Sequence, residues 1–86
     1  MKNGLEINEW GTKRYYLNDK LHREEGPAIE YPCGDKEWFQ NGLYHRLDGP
    51  AIEWYNGSGW WYFHGKRIEC SSQKEFENKI AELIFS

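Results

Sequence analysis

The sequence predicts a mainly β protein: an open antiparallel β-sheet of 23-residue hairpin repeats closed by one C-terminal amphipathic α-helix. Three observations carry this expectation. Residues 22–34, HREEGPAIEYPCG, are nearly rewritten at 45–57, HRLDGPAIEWYNG. Asn41-Gly42, a strong short hairpin signal, stands between runs rich in aromatic residues. After Ser71 the pattern changes to that of a helix, opened by the Ser72-Gln73-Lys74-Glu75 capping box.

In chain order, residues 1–10 are a degenerate lead-in whose only sizeable apolar anchors are Ile7 and Trp10. Sliding the chain by 23 residues then aligns Gly11, Gly34 and Gly57, next Tyr15, Trp38 and Trp61, and next Tyr16, Phe39 and Tyr62. The first repeat is 11–33, the second 34–56, and the third, 57–70, is partial. It stops early, with His64-Gly65 at the turn and Ile68-Glu69 where His-Arg stands elsewhere. Within a repeat, Lys36 to Gln40 reads as one strand and Pro50 to Tyr55 as a second. Strand alternation points Trp38 one way and Glu37 and Phe39 the other. Residues 72–85 form the capping helix, since Phe76, Ile80, Leu83 and Ile84 make one apolar stripe. The expected resting place of that stripe is the open end or one face of the sheet, and a helix on the face carrying Trp38, Ile52 and Trp54 would leave the aromatic residues of the other face exposed.

Composition narrows the function. Eighty-six residues make a single domain with a thin core, which fifteen aromatic residues help to fill. A net charge of −3, with both signs interleaved, gives no basic patch for direct nucleic-acid binding. No run of 18 apolar residues and no leader-like start is present, so no membrane segment and a cytoplasmic location are expected. Cys33 and Cys70 lack zinc-ligand spacing and read as reduced thiols.

The pattern of paired aromatic residues, Asn-Gly and His on a 23-residue period resembles the MORN repeat, a family of open antiparallel β-sheets. HRxDGPA-type words followed by a SxxEFE helix (Ser72 to Glu77) resemble small proteins of phages and bacteria. The likeness spans roughly residues 11–85 and departs from the MORN pattern at Arg23 and Arg46, where that family usually has Gly. It implies the fold and a binding role, and for a phage-encoded chain it suggests inhibition of a host defence component, in the manner of anti-CRISPR proteins.

The duplicated His22-Arg23 and His45-Arg46 pairs are candidates for anion or ligand binding, because Arg clamps anions and His titrates near neutrality. Residues that recur in every repeat more often build the repeat, with Arg46 pairing Asp48 and Arg23 pairing Glu24 or Glu25. Equivalent His residues lie two strands apart, roughly 10 Å, too far for one metal ion. Glu30 and Glu53 are likewise separated, no phosphate loop or nucleophile elbow exists, and no catalytic residue or cofactor is expected. The non-repeated residues point instead to a protein partner. Trp60 stands where other units carry Arg14 and Glu37, and Tyr16, Phe39, Tyr44, Tyr55, Trp60 and Tyr62 are the expected partner-binding surface. Tyr44 and the Lys13-Arg14 pair also fall outside the repeat. A homodimer that buries both sheet faces is the plainer alternative, and a nucleotide-sequestering site built from stacked rings with Arg23 and Arg46 is the alternative from another class.

Overall fold

Backbone angles set the hairpins. Asn18-Asp19, Asn41-Gly42 and His64-Gly65 all have positive φ, as the two central residues of a type I′ turn require. In the computed structural model, which describes residues 1–85, these turns join strands β2 (Lys13–Leu17) and β3 (Lys20–Leu21), β6 (Phe39–Gln40) and β7 (Leu43–Tyr44), and β9 (Gly59–Phe63) and β10 (Lys66–Ile68). A second kind of turn alternates with them. The amides of Gly11, Gly34 and Gly57 donate to the carbonyls of Asn8, Tyr31 and Trp54 at 3.1, 3.0 and 2.9 Å.

The remaining strands are β1 (Gly4–Ile7), β4 (Ile29–Glu30), β5 (Lys36–Glu37) and β8 (Ile52–Glu53). All pairing is antiparallel, in the order β1-β2-β4-β5-β8-β9-β10, with β3 also on β2 and the β6–β7 hairpin separate from this eight-stranded sheet. The lead-in is thus ordered, as a strand paired with Lys13 to Tyr16 of β2. The expected strand Lys36 to Gln40 divides at Trp38, and Pro50 to Tyr55 shortens to Ile52–Glu53. The cause is a loop. The Trp38 carbonyl accepts from the His45 amide at 3.1 Å, and its own amide donates to Ala51 at 2.7 Å, so residues 45–51 leave and rejoin the ladder at one residue. Tyr15 holds residues 22–28 in the same way, through His22 and Ala28 at 3.0 and 2.8 Å.

Residues directly opposite one another share a sheet face. The register therefore puts Arg14, Ile29, Glu37, Ile52 and Trp60 on one face, and Lys13, Glu30, Lys36 and Glu53 on the other. This corrects the expected grouping of Ile52 with Trp38. One small core gathers Ala28, Ile29 and Phe39 with Leu21, Tyr31 and Tyr44.

Helix α1 (Gln73–Phe85) forms the other core. Ser72 caps it, its Oγ accepting the Glu75 amide at 3.2 Å, while the Glu75 carboxylate takes the Ser71 hydroxyl at 3.0 Å. Phe76 and Ile80 are buried against Ile68, with Trp61, Phe63 and Cys70 around them. The buried side of the helix thus packs on the third repeat and leaves Trp38 to another cover. The second half of its stripe, Leu83 and Ile84, is exposed, as is Phe85. Among the described residues no helix is long and apolar enough to cross a membrane. Phe76→Ala is expected to cost about 3 to 5 kcal/mol in urea unfolding, against under about 1 kcal/mol for Ile84→Ala.

Candidate functional site

The loops 22–28 and 45–51 bring the duplicated words to one sheet face, where each Arg lies on a ring of its own repeat. The Arg46 guanidinium sits 3.7 Å from the Trp38 ring centroid, and that of Arg23 sits 3.9 Å from Tyr15. Arg46 donates to the Pro50 carbonyl at 3.1 Å, to Glu53 at 3.3 Å and to Asp48 at 2.8 Å. Arg23 donates to the Pro27 carbonyl at 3.2 Å and to Glu30 at 3.3 Å. The expected Arg46–Asp48 pair is present, and it holds the Asp48 carboxyl below its usual range. For Arg23 the carboxylate partner is Glu30, while Glu24 approaches His22.

Each letter of the word has a place in this closure. Glu30 and Glu53 bind the guanidinium, and Ala28 and Ala51 are fully buried where the loop rejoins the strand. Gly26 and Gly49 leave room for the Arg: a Cβ at Gly49 would lie 2.7 Å from Arg46 Cζ, and one at Gly26 would lie 3.3 Å from Arg23 Cζ. The His side chains reach forward. His22 Nδ1 accepts the Asn41 amide and His45 Nδ1 accepts the His64 amide, both at 2.9 Å. Each imidazole thereby pins the hairpin turn that follows in the next repeat.

A cleft of about 550 Å³ lies between the two loops, lined by Arg23, Glu24, Gly26, Trp38, His45 and Arg46 among others. It offers an anion little, because the guanidinium groups are already committed to carboxylates and carbonyls, and Glu24, Glu25 and Asp48 add negative charge at its rim. Among the described residues no three His, Cys, Asp or Glu side chains gather as a metal ion would need.

The expected partner-binding residues divide by burial. Phe39 is only 7% exposed, so it belongs to the core and offers a partner almost no surface. Its ring lies 4.2 Å from that of Tyr44, which lies 4.9 Å from that of Tyr62. Tyr44 and Tyr31 both donate to Glu37, at 2.9 and 3.1 Å, and burial together with this carboxylate raises both phenol pKa values above the usual range. Tyr16 is half-buried, with the Lys2 ammonium over its ring at 4.9 Å. Tyr55 is exposed at the turn before β9. Trp60 is 41% exposed, meets Trp54 edge-on at 5.5 Å and carries Arg67 over its ring at 4.0 Å. Sequence reasoning missed Trp54 and Arg67 as its neighbours, although the hairpin turn at His64-Gly65 already held the register that sets Arg67 opposite Tyr62, on the face of Trp60. No protein-family model, no curated protein and no solved structure matches the chain.

The loop closure predicts an asymmetry between two equivalent glycines. Gly49→Ala should destabilise the protein by about 1 to 3 kcal/mol, since the new methyl displaces a guanidinium held on all sides. Gly26→Ala should cost clearly less, as its contact needs only a few tenths of an ångström. Paired chemical denaturation curves check the order.

Proposed function

We propose that the chain is a non-enzymatic protein-interaction module whose docking surface is the sheet face opposite the arginine loops and the helix. The observation that carries this reading is Trp60. It replaces the charged Arg14 and Glu37 of the equivalent positions, is 41% exposed, and is braced by Trp54 and Arg67 into a rigid aromatic platform. Aromatic and Arg side chains are the usual anchors of protein interfaces. Tyr16, Tyr44 and Tyr62 extend the surface along the same face, and Tyr55 stands at its edge. Phe39 supports it from within.

The concrete version of the proposal, a phage-encoded inhibitor of a host defence component acting in the host cytoplasm, draws on the likeness of the HRxDGPA words and terminal helix to phage and bacterial proteins. The nucleotide-sequestering alternative has less support, because Arg23 and Arg46 cover their own rings and bind their own loops. A net charge of −3 with both signs interleaved along the chain gives direct nucleic-acid binding less support.

A pull-down from host lysate followed by titration of the captured partner tests the proposal. Trp60→Ala should weaken binding by about 2 kcal/mol or more while lowering stability by under about 1 kcal/mol. Phe39→Ala should instead act through unfolding, at about 3 to 5 kcal/mol. A native mass raised by a few hundred daltons would favour the small-ligand reading, and a doubled mass that Trp60→Ala halves would make the partner a second copy.

A further inference from the structure

The two joints between successive repeats use the same hydrogen bond but differ in what surrounds it. In the first, His22 Nδ1 holds the Asn41 amide while His22 Nε2 lies 3.6 Å from the Glu24 carboxylate. A proton on that imidazole has a counter-charge beside it. In the second, His45 Nδ1 holds the His64 amide, and the position equivalent to Glu24 is Leu47. The turn residue, Asn in the two earlier hairpins, is His64, whose ring stacks on His45 at 4.3 Å. Phe63 packs on the same imidazole at 5.3 Å, and His45 is only 9% exposed.

An Nδ1 that accepts a backbone N–H carries no proton, so the second proton of an imidazolium must go where the hydrogen bond is. Protonated His45 therefore sets N–H against N–H at the His64 turn. The other charged groups facing this joint give little relief. Arg46 and Asp48 on its own loop are paired with each other, and Arg23, Glu24 and Glu25 line the far side of the cleft. The turn that follows β9 brings another titratable imidazole, His64.

We propose that the second joint is an acid-opened latch: protonation of His45 releases the β9–β10 hairpin and helix α1 while the first joint stays closed. Burial first, and His64 second, hold the His45 pKa below its ordinary value of 6.5 in the folded protein. The sign follows from that direction. The unfolded or detached imidazole binds the proton more readily, so the contribution of His45 to stability is complete above about pH 6.5 and is lost as pH falls through the lower folded value. Release would part Tyr62 from Tyr44 and Trp60 from Trp54, the ring contacts that now join β9 to the preceding part of the sheet. Coupled to mild acidity, the end of the sheet becomes an exposed aromatic surface.

Residue-resolved amide NMR of the intact chain from about pH 7.5 to about pH 5 tests this, in a window that leaves most carboxylates ionised. The expected result is that resonances of residues 59–85 lose dispersion first, while those of 13–40 persist. Replacing His45 risks unfolding the protein, so the decisive variant is the doubly changed Leu47→Glu, His64→Asn, which copies the first joint into the second. It should move the midpoint down by about one pH unit, because a nearby carboxylate and the loss of the facing imidazole both raise the folded His45 pKa toward its detached value. Simultaneous loss of all resonances, or a midpoint that the double variant leaves in place, would overturn the latch.

Discussion

A planar cation lying on a planar ring, inside a loop that leaves and rejoins the strand at that ring, is the contact on which the rest of the sheet depends. Arg46 on Trp38 and Arg23 on Tyr15 do the work that a hydrophobic core does in larger domains. An 86-residue chain with few aliphatic residues has little else to bury there. Surface ion pairs alone stabilise weakly, by about 0 to 1 kcal/mol. Here the guanidinium is simultaneously stacked, bonded to a backbone carbonyl and paired to a glutamate, and is 18% exposed in the case of Arg46. The loop, the strand break at Trp38 and the small residues at 49 and 51 all follow from giving that group its place.

The two ends of the chain answer the same need with different residues. At the start, the side-chain Oδ1 of Asn3 accepts the Asn18 amide at 2.8 Å, the part that His22 and His45 play for the later turns. At the other end no arginine follows Ile68, and the Trp61 ring is left without its cation. Phe76 of the helix packs beside that ring, and Gln73 accepts its indole N–H at 2.8 Å. Gln73 also donates to the Leu47 carbonyl at 2.9 Å, joining helix and second loop. Ile68 meanwhile is buried at the position where the earlier repeats carry His. The helix is therefore a substitute for a third arginine loop as much as a lid on the core.

What the sequence made legible was local. Asn41-Gly42 announces its turn because positive φ at two successive residues suits few other pairs, and the helix announces itself through Ser72 and its apolar stripe. The loop was hidden because Pro50 to Tyr55 has the composition of a strand, and only the return of Ala51 to the Trp38 amide cuts it short. That bond spans 13 residues, beyond the reach of any periodicity in one strand. The face occupied by the helix was hidden for a related reason. Its stripe says that something is covered, and only the absence of Arg at position 69, read as an uncovered Trp61, says what. Phe39 went to the surface in the sequence reading because alternation fixes a side and says nothing of how deeply that side is buried.

Separating the residues that build the repeat from those that differ between repeats also separates stability from recognition. The His-Arg words are consumed by loop closure and turn pinning, and the Trp60 face is the surface that the proposed function assigns to a partner. The most direct test of this division is a double-mutant cycle on Arg46→Met and Trp38→Leu, measured by chemical denaturation. The account predicts a coupling of about 1 to 2 kcal/mol, as a partly desolvated cation on an indole should give. Losses that add to within about 0.3 kcal/mol would contradict it, since Arg46 would then be closing its loop without the ring.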